Sequence, residues 1–373
     1  MKKITFITLL LIAFGIVLMV SSCKKENPEE QKTEFDKKAM LGNYSNSVIV
    51  PRYEKLENNL YSLKNSVNSF VSAPNLVDFK SLNQSFDSAY LSWQGVSFFQ
   101  FGPAENYTLK SIFNIFPVDT TLINSNIASN SYNLQTPSNF DAKGLQALDF
   151  LLFKNNMTSA QVVDYYTNNS NAQTYLSNVT NEIYTNASEI STEWSTYNQT
   201  FINNNTSNAQ GSSVSNLINA LSLHYEAFVR KGKIGIPSGV FNGISGATLP
   251  GHVEGFYSGY SIDFAKQEMS AIQNLINGKT YNSTTDGQGL NDYLDYVLAK
   301  SGEQNLSQAI DTKINEIMSL LNDLNGPLSN DVTANGSSVS KVYSARQQLV
   351  PLIKVDMTSK LGVLISYADN DGD

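Results

Sequence analysis

The sequence predicts an all-α protein of two helical bundles packed side by side. Three observations lead there: apolar residues recur at threes and fours over long windows, alternating strand patterns are scarce, and one polar run separates the periodic segments into two groups. Tyr53, Leu56, Leu60, Leu63, Val67 and Phe70 form the first stripe, and Pro74 closes that helix. A second helix is expected over about 76–101, with Leu82, Phe86, Tyr90, Trp93 and Ser97 on one face, until Gly102-Pro103 stops it. Short pieces and loops fill 105–140, and a compact helix covers about 141–153. The stretch 171–203 reads as one long Asn- and Thr-rich helix whose Tyr175, Val179, Ile183, Ile190, Trp194 and Tyr197 face a core. The polar run 203–213 follows and is the expected domain boundary, dividing the body into 39–205 and 206–373. Beyond it the spacing predicts a helix over 214–230, a Gly-rich excursion over 232–251, and helices near 258–277, 289–299, 303–324 and 335–367.

The first residues carry a different signal. Lys2 and Lys3 precede an uncharged apolar run, Ile4 to Val20, and Ser21-Ser22 supply small residues ahead of Cys23, the chain's single cysteine. This resembles a bacterial lipoprotein signal peptide, residues 1–22, with cleavage before Cys23 and acylation of it. One acyl chain binds a bilayer reversibly and two or more anchor it, at about 0.8 kcal/mol per buried CH₂. The alternative is an uncleaved membrane helix, since the run reaches the short end of the spanning range. The charged segment after Cys23, to Lys38, is low in apolar residues and is expected to be a disordered tether, so the body would stand off a membrane.

With 41% hydrophobic residues the remainder can bury a sizeable core. Loss of residues 1–22 would leave 23 basic against 33 acidic residues, a balance that disfavours nucleic acid and anionic lipid as partners. Cations, neutral ligands or other envelope proteins are the expected partners. A lipidated Cys23 leaves no thiol for disulfides, thiolate metal sites or nucleophilic catalysis. Only His224 and His252 remain, so an HExxH zinc site is absent, as are Gly-rich phosphate loops. Each histidine reads as a structural or rim residue. The ending Asp369-Asn-Asp371-Gly-Asp373 imitates a calcium loop, but the chain stops before a position-12 glutamate, and it reads as an acidic tail.

Two segments interrupt the helical regularity. In Gly144–Phe153, Leu145, Leu148 and Leu152 share one helical face, and Gln146, Asp149 and Phe153 share another, with Gly144 permitting close backbone approach before the polar pair. From periodicity, Gln146 and Asp149 either face water or build a site. In Leu249–Ser261, His252, Glu254, Tyr257, Ser258, Tyr260 and Ser261 crowd between Pro250, Gly251, Gly255 and Gly259. That density of donors and acceptors suits a binding rim, while a helix cap by Glu254 is the plainer account.

At these residues the chain resembles a known family. Gly144-x-Gln146-x-x-Asp149 followed by Phe-Leu-Leu is similar to the GxHxxE-[FY]-L-L signature of imelysin-like proteins, envelope proteins named after an insulin-cleaving membrane peptidase. Trp93 with Phe101-Gly102-Pro103, the run Ile115–Asp119, and Glu254-Gly-Phe-Tyr-Ser258-Gly-Tyr-Ser261 resemble further family segments. The resemblance implies two similar four-helix-bundle domains with the site in the cleft between them, and an association with iron uptake. Carried over by position, the ligand-binding residues would be Gln146, Asp149, Glu254, Ser258 and Ser261, with Phe101, Gly102 and Asp119 in support.

Gln146 stands where the family has His, and Asp149 where it has Glu. A glutamine offers an amide in place of the imidazole that transition metals prefer, so zinc peptidase chemistry is disfavoured. A divalent or iron cation held by oxygen ligands, with Asp149 and Glu254 as its carboxylates, stays open. The expected function is a binding module in the envelope of a Gram-negative bacterium, taking a small ligand or metal ion, rather than an enzyme. A metal-dependent peptidase using Asp149 and Glu254, and a surface adaptor without a small ligand, are the alternatives.

Overall fold

The computed structural model describes residues 34–367, apart from 155–156, 282–284 and 335. Cys23, the apolar run before it and the acidic tail after Tyr367 lie outside the described residues. The described chain is helical, and its one β-type pairing is an isolated bridge between Lys279 and Asp286. Among the described residues no helix is long and apolar enough to cross a membrane.

In chain order the helices are α1 (Lys37–Asn43), α2 (Val50–Ser72), α3 (Leu76–Gln94), α4 (Leu109–Phe113), α5 (Thr120–Ser129), α6 (Gly144–Leu152), α7 (Ser159–Thr167), α8 (Ser170–Asn203), α9 (Ser213–His224), α10 (Ser261–Ile276), α11 (Leu290–Ser301), α12 (Leu306–Asn322), α13 (Leu328–Thr333), α14 (Ser337–Pro351) and α15 (Thr358–Leu361). Three wider π-helical segments, Tyr44–Ile49, Tyr225–Gly235 and Leu352–Met357, continue α1, α9 and α14. From Lys37 onward the described residues form one compact unit.

The early stripes pack as their spacing predicts. Leu56, Leu60, Leu63, Val67 and Phe70 of α2 are buried against α3 and α8. Trp194 of α8 lies 6.0 Å from Tyr53 and 5.6 Å from Phe101 between ring centroids, so aromatic contacts close this core. In the later half α14 packs on α12 and on the π segment Tyr225–Gly235. Helix α10 lies against both α12 and α3, tying late residues to early ones.

Several boundaries differ from expectation for local reasons. Helix α3 ends at Gln94, seven residues before the expected stop at 101, because Gly95 and Val96 turn tightly back on Ser92 and Trp93. Asn75 caps its start by accepting from the amides of Val77 and Asp78 at 3.0 and 2.9 Å. Helix α1 begins at Lys37, inside the stretch read as tether. The helix expected over 214–230 runs on to Gly235 by changing its winding, with Ile236 donating to the Lys231 carbonyl five residues back. Helices α5 and α7 were missed by periodicity, being only 10 and 9 residues long. Their signals are caps: Asp119 accepts from the Leu122 amide, and Thr158 forms a capping box with Gln161.

Candidate functional site

Helix α6 starts at Gly144, whose φ of +78° and missing side chain let it pack against the backbone ending α4. All nine residues of α6 are buried, so the reading in which Gln146 and Asp149 face water is overturned. Their partners come from the loop entering α10. Asp149 accepts from the amides of Tyr257 at 2.8 Å and Ser258 at 3.0 Å, and the Gln146 carbonyl accepts from the Gly255 amide at 3.3 Å. Phe150 meets Tyr257 and Phe153 meets Tyr260 edge-on, which seats the loop. The two sequence motifs therefore dock on each other through side-chain acceptors and main-chain donors.

Glu254, 1% exposed, points to the other side of that junction. Its Oε1 accepts from Gln94 Nε2 at 2.9 Å and Asn114 Nδ2 at 2.6 Å. Tyr90 donates to the Asn114 side-chain oxygen at 2.6 Å and in turn accepts from the Gln146 amide, so one hydrogen-bond chain joins α3, α4, α6 and the loop. At the centre is Lys233. Its Nζ lies 2.6 Å from Glu254 Oε2, 2.7 Å from Glu268 Oε2 and 2.6 Å from Gln94 Oε1, three acceptors for three ammonium protons. Glu268 also accepts from His224 Nε2 at 2.7 Å and from Ser97 at 3.2 Å. A carboxylate can only accept, so His224 carries its proton on Nε2, and its buried Nδ1 has no partner among the described residues.

The remaining predicted residues are elsewhere. Ser258 contributes its amide to Asp149, while Ser261 opens α10 with a buried hydroxyl that has no partner among the described residues. Phe101 belongs to the Trp194–Phe201 aromatic core, Gly102 lies against the Tyr197 ring, and Asp119 caps α5; none is brought to the cluster.

The donor set does not fit a metal ion. Both Asp149 oxygens receive backbone amides, and the space between the Glu254 and Glu268 carboxylates holds an ammonium where a cation would sit. Among the described residues no three His, Cys, Asp or Glu side chains gather to hold a metal.

Protonation follows from burial. Burial pushes the Asp149 carboxyl up to about 6, although bonds from Ser258 and Tyr257 oppose it. Burial, with Lys110 nearby, pushes His224 down to about 4. For Glu268, burial alone would raise the carboxyl, but Lys233, His224 and Lys110 outweigh it and hold it well below the usual range.

These shifts set opposing slopes of stability with pH. Between about pH 4 and 6 the folded chain keeps a proton on Asp149 that the unfolded chain has lost, so this group's contribution falls as pH rises. For His224 the unfolded chain holds the extra proton between about 4 and 6.5, so its contribution rises with pH. Asp149→Asn removes the falling contribution of this carboxyl. The variant should gain stability from pH 4 toward neutrality more steeply than the parent, by up to about 1.4 kcal/mol per pH unit. Urea midpoints of both chains across that range check it, and parallel slopes would refute it.

Sequence reasoning missed Lys233, Glu268, Gln94, Asn114 and Lys110. Glu268 did leave a signal: it sits between Phe264 and Ile272 at helical spacing, a charge on an apolar face of α10. Lys233 left none, because it fell in the expected Gly-rich excursion.

The family profile described as imelysin, a peptidase family, matches residues 49–355. No curated protein matches the chain significantly. Among solved structures, a candidate iron-regulated protein A precursor from Parabacteroides distasonis superposes with a TM-score of 0.72 at 17% identity, covering 90% of this chain and 97% of that one. An imelysin-like protein from Psychrobacter arcticum superposes with a TM-score of 0.68 at 15% identity, covering 89% and 97%.

Proposed function

The chain belongs to the imelysin family, and from that premise we propose that it is a non-catalytic ligand-binding protein of the Gram-negative cell envelope. It would be anchored through lipidated Cys23, linked to iron uptake, and bind beside the buried cluster around Lys233. One observation carries the choice of binding over hydrolysis. The oxygens that a metallopeptidase would turn toward a metal and its water are already engaged, Asp149 by the Tyr257 and Ser258 amides and Glu254 by Lys233, Gln94 and Asn114. A network of this kind stiffens a site and leaves neither Asp149 nor Glu254 free to act as a base. The link to iron is supported by the iron-regulated name of the Parabacteroides structure, and the anchor by the Ser21-Ser22-Cys23 ending of the apolar run.

Elemental analysis and a peptide-library digestion of the purified chain test this. We expect metal well below one equivalent and no cleavage, with or without chelator. Cleavage that a chelator stops, or stoichiometric metal that is lost in Asp149→Ala, would return the protein to the peptidases.

A further inference from the structure

Next to the cluster lies a cavity of about 380 Å³, open on one side, that the buried network does not use. Its walls come from α4 and the segment after it, and from the π segment that carries Lys233. Phe116, Phe228, Ile115 and Ile236 supply an apolar lining. Asn114 belongs both to this wall and to the network, through its bond to Glu254. The volume falls near the lower end of the range for small-molecule sites.

Within this apolar space stands one cation, Lys110. Its Nζ lies 2.8 Å from the centroid of the Phe228 ring, and among the described residues it makes no hydrogen bond or ion pair. Every other positive side chain of the cluster has an oxygen partner: Lys233 has three, and Arg346 donates to the Val229 carbonyl at 2.6 Å. Lys110 is half-buried, and its ammonium meets the Phe228 ring face but no oxygen acceptor, which an anionic oxygen delivered by a ligand would supply. We propose that this cavity binds a small organic monocarboxylate, its carboxylate on Lys110 and its ring or branched chain between Phe116 and Phe228.

The chemistry narrows the class from both ends. A lone ammonium suits one carboxylate, whereas a phosphate or a dicarboxylate would bring a second charge close to Glu254 and Glu268. The aromatic and aliphatic walls reward an apolar body, which a free inorganic anion lacks, while Ser111, Asn114 and His252 complete the polar part of the lining. Burial holds the Lys110 amine well below the usual lysine range, with Glu268 and Glu254 opposing that shift and Lys233 adding to it, which agrees with a cation lacking its counter-ion. This inference deepens the binding reading by naming a ligand class for the same region.

The test uses the full-length chain and three probes, phenylacetate, benzoate and 3-methylbutanoate, by isothermal titration. Phenylacetamide serves as the neutral counterpart of the first. We expect saturable binding of at least one carboxylate, weaker binding of the amide, and a loss of about tenfold or more for that carboxylate in Lys110→Met. The variant exchanges a cation that has no oxygen partner for an apolar side chain of similar length and is expected to fold. Should it not fold, the carboxylate–amide comparison on the unaltered chain decides alone. No binding by any of the three, equal binding of acid and amide, or full affinity in Lys110→Met would each overturn the proposal. An amide that binds as well as the acid sinks the carboxylate class while leaving a binding protein, whereas peptide cleavage sinks the binding reading itself.

Discussion

Lys233→Met is expected to lower the folding free energy by about 3–5 kcal/mol. The substitution keeps length and bulk but removes the ammonium that holds Glu254 and Glu268, both 1% exposed. Two carboxylates would then face each other in a dry interior with no cation between them. The loss is therefore dominated by uncompensated charge rather than by lost packing. Its pH dependence has a definite sign. Burial raises the Glu268 carboxyl and Lys233 is the chief group opposing it, so without Lys233 the folded-state affinity of Glu268 for a proton rises, and the penalty is largest near neutrality and shrinks as pH falls. Urea unfolding of parent and variant near pH 7 and near pH 5 measures both statements. A loss under about 1 kcal/mol at neutral pH would mean that water reaches the cluster and that the network is not a rigid element.

Gly144→Ala is the second large effect, expected to cost about 2–4 kcal/mol, from left-handed backbone strain and overpacking together. At φ +78° a side chain is disfavoured even in open space, and here a methyl carbon would lie 2.6 Å from the Phe113 carbonyl oxygen and 2.8 Å from that of Ile112. Both neighbours are main chain, so no rotamer change relieves the contact. Relief requires α6 to retreat from α4, which would pull Gln146 and Asn114 apart and loosen the path from Tyr90 to Glu254. Thermal unfolding reads the loss in stability. A variant as stable as the parent would show that α4 yields easily and does not fix the site.

Much of this was legible before any coordinates. The all-α class, the stripes of α2 and α8 and the close approach at Gly144 follow from spacing and residue chemistry, whereas the pairing of Gln146 and Asp149 with the segment near Glu254 was implied only by the resemblance to imelysin-like proteins. What stayed hidden is instructive. Gln146 and Asp149 look like a surface pair because polarity in a short helix is indistinguishable from exposure until the partner loop is known. Their partners are backbone amides, which no residue type advertises. Phe101, Gly102 and Asp119 carried motif similarity, yet their roles are aromatic packing, close approach and capping. Lys110 and Lys233 were unreadable for a simpler reason, since a lysine is ordinarily a solvated residue and only the tertiary fold shows what surrounds it.

The winding of Tyr225–Gly235 has a bearing on how kinship among such chains is traced. A loosened coil admits more residues per revolution than the ordinary spiral, so each position after it is rotated about the axis relative to strict periodic spacing. A relative lacking one residue in this stretch would present a different side chain to Glu254 and Glu268, even if every letter around it were retained. An alignment drawn without a gap there would then pair the wrong lysine. Working outward in space from Glu254 and Glu268, instead of forward along the text of the sequence, is the surer way to find the equivalent cation.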